Sequence, residues 1–349
     1  MVVEFKRIKN ESPILNPMNA FQEDKQSSEI RFDPLTGVKR LFNAGLTEKA
    51  KIFYQPADEN LIKTIADKTK ETCIFCPQNL EKVTPKFLPD LLPEGRFKKG
   101  HSWVFPNLFQ IYEITAIGVI GKEHFLRTDE FSPELLKNCF STTIDFFRVV
   151  LRKRPDYKYA IFGMNYLPPA ASSQIHPHIQ IYMSRNPFTY VDRMMKKSRA
   201  YKERGSKNFW QDLIETEKEI GERYVGRTGN VEWLASFSPM AQNEFIGIIP
   251  EKSNFLEYDD RDLDGITEGL AKVLQFYYNE LKMVSFNYIL YSGPLGEDNK
   301  NFWSSVRIAT RPNFNGHYIN DIHIAPLFYM EDWFPNVPEY LAGRLKAYF

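Results

Sequence analysis

The strongest constraint on the fold is a pattern that occurs twice in the chain at constant spacing. The apolar stretch "IGVIGKEH" at 117–124 resembles "IGIIPEKS" at 246–253, and each precedes a segment with apolar residues three and four positions apart. Such spacing predicts an amphipathic helix packed on a sheet. A further strand pattern follows each helix, from Tyr159 and from Tyr288, at the same offset in both repeats. We interpret this as a duplicated strand–helix–strand unit; the alternative is a chance likeness between two segments.

The order of these elements also indicates the fold class. Short strands with few helices predict an α+β fold with a mostly antiparallel sheet. The first thirty residues are polar and lack a clear periodicity, which predicts a loosely ordered lead-in at 1–30. The repeats then divide the chain into a first half at 31–200 and a second half at 201–349.

The charge balance and the cysteine content narrow the class of protein. The 45 basic and 44 acidic residues nearly cancel, so we do not expect nucleic acid as a partner. No apolar run approaches the roughly 20 residues that span a bilayer, and the amino-terminal stretch lacks the apolar core of a secretory signal. Three cysteines do not make a disulfide framework. We therefore expect a cytoplasmic protein with reduced thiols and no membrane partner.

The stretch "SSQIHPHIQIYMS" at 172–184 places two of the six histidines on one predicted strand. Side chains alternate between the faces of a strand, so His176, His178 and Gln180 share one face and the neighbouring isoleucines share the other. Buried polar side chains without partners are costly, so the polar face should meet solvent, a ligand or a metal. Pro177 cannot donate a ladder hydrogen bond, which indicates an edge strand or a break in pairing. A pair of histidines hydrogen-bonded within a sheet is the plainer alternative.

The residues around this strand are suited to phosphate chemistry. The preceding loop is rich in small residues, so its backbone amides and the hydroxyls of Ser172 and Ser173 can approach a phosphate closely. A neutral imidazole is a good nucleophile toward phosphorus when an acceptor holds its second nitrogen. The amide of Gln180 can donate to a phosphate oxygen and stabilise developing charge.

A metal site is the second chemical feature that the sequence indicates. Cys73 and Cys76 form a CxxC pair, the commonest half-site for tetrahedral zinc; a redox pair or a chance spacing is the alternative. Two further ligands are available, because His124 ends the first strand pattern and His176 begins the HPH. Together these four residues would form a closed Cys2His2 site of the structural kind, which leaves His178 free for chemistry.

The second repeat lacks the polar triplet. The equivalent positions, at the offset that relates Tyr159 to Tyr288, are Ser305, Arg307 and Ala309. We therefore predict a single reactive histidine in each chain, His178.

In combination these motifs resemble the galactose-1-phosphate uridylyltransferase family, the transferase branch of the histidine triad superfamily. The resemblance runs from about residue 31 to the end. The specific part is the HPHxQ at 176–180 with the upstream Asn165. The other matching stretches are "RFDPLTG" at 31–37, the CxxC, "FPNLF" at 105–109, "GKEH" at 121–124, Ser173, "FIGIIPEKS" at 245–253 and "FNYILYSGPL" at 286–295.

The resemblance implies a duplicated histidine-triad-like half-barrel and nucleotidyl transfer by double displacement. His178 would attack the α-phosphorus of a nucleotide sugar and form a nucleotidyl-histidine. A sugar phosphate, or inorganic phosphate in phosphorylase relatives, would then take the nucleotide. Gln180 and Ser173 would hold phosphate oxygens, and Asn107 and Asn165 would lie near the nucleotide.

The resemblance also implies a structural zinc on the Cys2His2 set and a homodimer. Where the family carries a basic HRAKRP-like stretch, this chain reads "FNAGLTEKAK", and Lys49 and Lys51 are the nearest basic substitutes. Some members bind a second metal through an HxH of the second half. Here that stretch is "SSVRIAT", so we expect no second metal.

Three functions fit these residues. The first is a nucleotidyltransferase resembling UDP-glucose–hexose-1-phosphate uridylyltransferase, an enzyme of galactose metabolism. The second is an ADP-sugar or dinucleoside polyphosphate phosphorylase or hydrolase. The third is a non-catalytic nucleotide-binding zinc protein.

Overall fold

The computed structural model describes residues 3–43, 45–46, 55–205, 207–316 and 320–349. The described helices are α1 Glu59–Thr69, α2 Pro77–Val83, α3 Pro133–Lys153, α4 Thr189–Gly205, α5 Phe209–Ile220, α6 Asp260–Asn279, α7 Ile324–Phe328 and α8 Pro338–Leu345. The described strands are β1 Arg7–Asn16, β2 Gln22–Phe32, β3 Lys39–Asn43, β4 Phe97–Lys99, β5 Ser102–Pro106, β6 Ile114–Val119, β7 Tyr159–Tyr166, β8 His178–Ser184, β9 Tyr224–Thr228, β10 Val231–Ala235, β11 Phe245–Ile248, β12 Phe286–Tyr291, β13 Ser305–Thr310 and β14 Asp332–Phe334.

These strands form two sheets. The larger sheet has ten strands in the order β4-β5-β6-β8-β7-β12-β13-β11-β10-β9, and every pairing within it is antiparallel. The smaller sheet has the order β1-β2-β3-β14 and contains a parallel pairing, between β3 and β14. The predicted α+β class with a mostly antiparallel sheet is confirmed. The two ends of the larger sheet do not pair with each other, so it stays open, as a half-barrel does.

The larger sheet displays the duplication in its strand order. Strands β4 to β8 come from the first repeat and form one half of the sheet. Strands β9 to β13 come from the second repeat and form the other half, in the reverse spatial order. The offset that relates Tyr159 to Tyr288 also relates the bounds of β5 to those of β10. The equivalent strands β7 and β12 pair antiparallel at the centre, so a local two-fold axis relates the halves. The predicted duplication of the strand–helix–strand unit is confirmed.

The two long helices begin where their sequences provide caps. Ser132 precedes α3 and accepts a hydrogen bond from the backbone N–H of Leu135, with a proline in the first turn. Asp259 precedes α6 and forms a capping box with Asp262. Both helices lie on the same side of the larger sheet, and their aromatic side chains pack onto it; the rings of Phe140 and Phe162, for example, are 5.1 Å apart.

The structure shows a hairpin where the sequence predicted a loosely ordered lead-in. β1 and β2 pair antiparallel over residues 7–31, and most of their side chains are exposed. Because both faces of the hairpin meet water, no apolar alternation marks it in the sequence. The end of β2 is held to the rest of the chain by Arg31, whose Nη1 donates to the carboxylate of Glu339 on α8 at 2.9 Å.

The proposed boundary between the halves, at residues 200 and 201, lies inside α4. Both halves contribute strands to one sheet and side chains to one core. The halves are therefore repeats within a continuous structure, and their division into domains stays a prediction. Among the described helices, none is both long and apolar enough to cross a membrane.

Candidate active site

The candidate site lies on the face of the larger sheet that the long helices leave uncovered. On β8, Ile179 and Ile181 are completely buried in the core under the helices. His178 and Gln180 point to the other face, as the alternation predicted. There they lie opposite Val119 and Ile117 of β6 in the strand register.

Pro177 marks the beginning of β8 rather than a sheet edge. The strand starts at His178 and lies between β6 and β7, inside the sheet. The proline carbonyl accepts a hydrogen bond from the backbone N–H of Ile120 at 3.0 Å, and its missing N–H falls where the ladder has not begun. His176 therefore precedes the strand, and its ring can turn away from that of His178.

The four predicted zinc ligands converge. The ligand atoms of Cys73, Cys76, His124 and His176 lie within 4.8 Å of one another, and all four residues are buried. Sγ of Cys76 is 3.4 Å from Nδ1 of His124 and 3.6 Å from Nδ1 of His176, and Sγ of Cys73 is 3.8 Å from the latter nitrogen. A tetrahedral zinc, with Zn–S about 2.3 Å and Zn–N about 2.1 Å, separates sulfur and nitrogen ligands by about 3.6 Å. The donor set and its spacing thus fit a tetrahedral metal such as zinc.

The surroundings of this cluster support metal binding. Burial, together with the neighbouring histidines, lowers the pKa of His176 to about 3, so its ring is neutral, as a metal ligand must be. The outer nitrogen of His124, Nε2, is 3.1 Å from the hydroxyl of Thr69 at the end of α1, which orients the ring. Four protein ligands leave no open position, which is typical of a structural site rather than a catalytic one.

His178 is held in the tautomer that a nucleophile requires. Its Nδ1 lies 2.8 Å from the backbone carbonyl oxygen of His176. A carbonyl oxygen only accepts, so Nδ1 carries the proton and Nε2 has a free lone pair. Burial lowers the pKa of His178, which favours the neutral ring.

Phe75 connects the metal cluster to the nucleophile, a role that the sequence analysis missed. It is the residue before Cys76, and its ring centroid is 5.0 Å from that of His178 and 6.2 Å from that of His176. The metal loop thus forms one wall of the site. The aromatic residue inside the CxxC is the sequence signal from which this role could have been inferred.

The loop between β7 and β8 separates the two predicted serines. The hydroxyl of Ser172 donates to the carbonyl of Gln174 at 2.7 Å and is buried, so it stabilises the loop itself. Ser173 is exposed, and this leaves it, rather than Ser172, accessible to a ligand. Leu167 and Ala171 flank the short turn Pro168–Ala170, at the start of this loop, with positive φ of 68° and 66°, so the chain turns sharply there.

The side chain of Asn165 is oriented by a chain of hydrogen bonds that starts at an arginine. Arg311 binds the carboxylate of Asp321 through two nitrogens, at 2.6 and 2.5 Å, and donates from Nη1 to Oδ1 of Asn287 at 2.9 Å. Nδ2 of Asn287 then donates to Oδ1 of Asn165 at 2.7 Å and to the carbonyl of Ala170 at 3.2 Å.

Which atoms donate and which accept in this series of hydrogen bonds follows from chemistry, because a guanidinium can only donate. Arg311 therefore sets the amide of Asn287, and Asn287 sets that of Asn165, so Nδ2 of Asn165 is left as the donor for a ligand. Asn287 and Arg311 come from the second half, and the sequence analysis identified neither. Only their pairing with the first half across β7 and β12 reveals them.

Asn107 lies two strands away from the nucleophile, in the turn between β5 and β6. Its Oδ1 accepts a hydrogen bond from the backbone of Phe109 at 3.0 Å. In the register of the sheet it shares the face of His178 and Gln180. The structure thus brings the predicted residues of the first half to one face, whereas Lys49 and Lys51 lie outside the described residues.

A cavity of about 290 Å³ continues this face into the second half. Gln180 and Asn165 line it from the first half, and Asn287, Glu244 and Arg307 line it from the second. A larger cavity, of about 520 Å³, lies behind His124 between α1 and the loop at 123–130. His178 lines neither cavity. Gln180, two residues further along β8, lines the smaller cavity and not the larger one, so the smaller cavity adjoins the candidate nucleophile.

The comparisons with known proteins agree with this architecture. No family model matches the chain. An uncharacterised protein from Archaeoglobus fulgidus is 31% identical over 319 residues, which cover 91% of each chain. The chain belongs to the same family as this archaeal protein.

Solved structures relate this family to a larger group through its fold. A galactose-1-phosphate uridylyltransferase-like protein from Arabidopsis thaliana superposes with a TM-score of 0.69 at 16% identity, over 92% of this chain and 99% of that one. An ADP-glucose phosphorylase from Arabidopsis thaliana, with bound ADP-glucose, gives 0.68 at 17% identity over 91% and 98%. A uridylyltransferase gives 0.63 at 18% identity over 72% and 85%. The resemblance inferred from the motifs is confirmed in the fold.

Proposed function

We propose that this protein is a nucleotidyltransferase that acts through a nucleotidyl-histidine on His178. The observation that carries the proposal is the hydrogen bond from Nδ1 of His178 to the carbonyl of His176, which leaves Nε2 as a free nucleophile on a rigid strand. The similarity in fold to a uridylyltransferase and an ADP-glucose phosphorylase supports the reaction class.

The reaction would proceed in two displacements at one phosphorus. Nε2 of His178 attacks the α-phosphorus of a nucleotide sugar, an N–P bond forms, and the bond to the β-phosphate side breaks, so a sugar phosphate leaves. An oxygen of a sugar phosphate or of inorganic phosphate then attacks the same phosphorus, and the N–P bond breaks. The histidine returns to its starting tautomer, because Nδ1 keeps its proton throughout.

The neighbouring polar groups have distinct roles in this proposal. Gln180, two residues along the strand, donates to a non-bridging phosphate oxygen as negative charge develops. Ser173 offers an exposed hydroxyl to the same phosphate. Asn165 presents its fixed N–H donor to the α-phosphate of the nucleotide, and Asn107 lies at the far side of the face, where the nucleoside would extend.

The metal would be held by Cys73, Cys76, His124 and His176. Bound zinc would join the CxxC loop to the segment before β8 and so contribute folding energy near the nucleophile. No step of the transfer passes through it. A homodimer and a cytoplasmic location stay predictions.

The test is intact-protein mass spectrometry after incubation with ADP-glucose or UDP-glucose. The wild type should gain the mass of one nucleotidyl group, and the gain should disappear when the correct acceptor is added. Glucose 1-phosphate, galactose 1-phosphate and inorganic phosphate, added separately, distinguish a transferase from a phosphorylase.

Two variants locate the adduct. His178→Ala should take up no nucleotide, whereas His101→Ala, which alters an exposed histidine, should behave as the wild type. An adduct that persists in His178→Ala would refute the assignment of the nucleophile. The absence of any adduct on the wild type would favour a non-catalytic nucleotide-binding protein.

A further inference from the structure

The second repeat carries a buried ion pair at the positions where the first repeat has His178 and Thr115. Arg307 is the counterpart of the histidine and Glu244 that of the threonine, both at the offset that relates the two repeats. Nη1 of Arg307 is 2.6 Å from Oε1 of Glu244, and the two side chains are only 9% and 2% exposed. Both partners differ from the first repeat, so the pair is a feature of the second half alone.

This ion pair borders the cavity that begins at Gln180. Across four neighbouring strands, Gln180 lies opposite Gly163, Gly163 opposite Ile289, and Ile289 opposite Arg307. Three strand spacings of about 4.8 Å place the backbones of Gln180 and Arg307 about 14 Å apart. Gly163 and Ile289 line the cavity between the two polar ends, and a Cβ on Gly163 would meet the backbone of β12.

Arg307 and Glu244 have hydrogen-bonding capacity that the described residues do not use. Nε of Arg307 is buried and has no hydrogen-bond partner among them. The carboxylate of Glu244 is fixed by Arg307 at one oxygen and by the backbone N–H of Met240, at 3.0 Å, at the other. A carboxylate has about four acceptor positions, and Arg307, the backbone of Met240 and the side chain of Ser236 use three of them, so capacity for one more donor remains. The cavity is thus lined by a rigid donor and a rigid acceptor side by side.

The side chains that line the cavity favour some kinds of ligand over others. The ion pair is neutral as a unit, and the carboxylate of Glu244 repels an anion, which argues against a phosphate. Adjacent hydroxyl groups fit better, because they donate to the carboxylate and accept from the guanidinium. The cavity, at about 290 Å³, has the size of a small-ligand site and suits one ring. Tyr182 and Tyr291 supply aromatic surface for its C–H groups.

We propose that this cavity binds the glycosyl moiety of the substrate, with Arg307 and Glu244 contacting adjacent hydroxyls. The inference rests on the proposed function, which supplies a nucleotide sugar, and it names the residues that select the sugar. The nucleoside then extends to the other side of Gln180, toward Asn107. The ion pair thus takes the place in the second half that the nucleophile occupies in the first.

The test compares nucleotide sugars with free nucleotides in a variant that keeps the cavity shape. The double variant Glu244→Gln/Arg307→Gln removes both charges together and so avoids an unpaired buried charge. Calorimetry with ADP-glucose, UDP-glucose, ADP and UDP is carried out in a His178→Ala background, which prevents turnover. We expect the affinity for the preferred nucleotide sugar to fall about tenfold or more, with the affinity for the nucleoside diphosphate unchanged within about twofold.

A second buried ion pair provides the matched control. Nε of Arg223 is 3.0 Å from Oε1 of Glu217, with side chains 4% and 0% exposed, and neither residue lines the cavity. The variant Glu217→Gln/Arg223→Gln should leave both affinities unchanged wherever it folds. Thermal unfolding of both double variants shows that the comparison is made on folded protein.

The possible outcomes are distinct. An equal loss for the nucleotide sugar and the nucleoside diphosphate would place the nucleotide in the cavity and overturn the inference. So would an unchanged affinity for the nucleotide sugar. Either result leaves the nucleotidyl-histidine proposal standing, because that is judged by the adduct on His178. If the background protein binds neither ADP-glucose nor UDP-glucose, the inference falls, and the adduct on wild-type His178 decides separately whether the nucleotidyl-histidine proposal stands.

Discussion

The substitution Asn287→Asp tests whether Asn287, in the second half, determines which end of the Asn165 amide, in the first half, faces the ligand. In the wild type, Nδ2 of Asn287 donates to Oδ1 of Asn165, which leaves the N–H₂ of Asn165 for the ligand. An aspartate at this position keeps the contact with Arg311 but has no hydrogen to donate. Asn165 should then turn its amide and donate to the new carboxylate. A ligand would meet a carbonyl oxygen where it previously met a donor.

The size of the effect follows from the lost hydrogen bond. A hydrogen bond to a charged group contributes about 1.5–3 kcal/mol, and each 1.4 kcal/mol is a factor of ten. The affinity for a nucleoside monophosphate should therefore fall roughly 10- to 150-fold. The introduced carboxylate would pair with Arg311, but it loses the donor to the carbonyls of Ala170, at 3.2 Å, and Met164, at 3.5 Å, and places an oxygen against them. These changes cost about 1–3 kcal/mol, so Tm should fall by less than about 6 °C.

The assay is calorimetric titration of AMP and UMP into Asn287→Asp, Asn165→Ala and the double variant. If Asn287 acts through Asn165, the double variant should bind as weakly as Asn165→Ala and no more weakly. Additive losses would show that Asn287 contacts the ligand itself. Wild-type affinity in Asn287→Asp would refute the reasoning about the direction of the hydrogen-bond chain.

The other predictions concern the metal cluster and the phosphate site. Cys73→Ser and His176→Ala should each lose zinc, measured by elemental analysis. Both should lower Tm by about 10 °C or more, because zinc binding contributes folding energy directly. The control Cys139→Ala, which alters the buried cysteine outside the cluster, should keep its zinc. Unchanged zinc content in the first two variants would refute the ligand assignment. Phe75→Ala should reduce the free energy of unfolding in urea by about 3–5 kcal/mol through loss of buried ring contacts. A loss below about 1 kcal/mol would show that the ring does not pack against His178 as a wall of the site. Gln180→Leu should slow nucleotidyl transfer, followed by the rate of adduct formation, about 10²- to 10³-fold without releasing zinc; a wild-type rate would remove Gln180 from the phosphate site.

Most of the fold could be predicted because its signals are local or periodic. The repeat at constant offset indicated the duplicated unit, and the capped helices α3 and α6 lie where the apolar spacing placed them. The hairpin at the start was missed, because strands exposed on both faces have no apolar alternation. The metal cluster was found because its four residues are of types that bind zinc and are rare in this chain.

The site was predicted in part, and the missing part has a physical reason. His178 and Gln180 stand on one strand, so their shared face follows from the period of a strand. Asn287 and Arg311 are common residue types with no motif, and their role arises only from the pairing of β7 with β12. Ser172 shows the reverse case, since only the folded loop reveals that its hydroxyl is used internally.

The amino-acid sequence shows which groups are chemically available: a CxxC with two histidines, a third histidine near a glutamine, and a repeat that keeps its strands but not its histidines. Periodicity also predicts that His178 and Gln180 share a face, whereas His176, for which it predicted the same face, precedes the strand. How these groups are used depends on the folded chain, because hydrogen-bond direction and cavity shape are set by neighbours that are distant in the sequence, as Asn165 and Asn287 are. The ion pair of Arg307 with Glu244, which are 63 residues apart in the chain, is a second example.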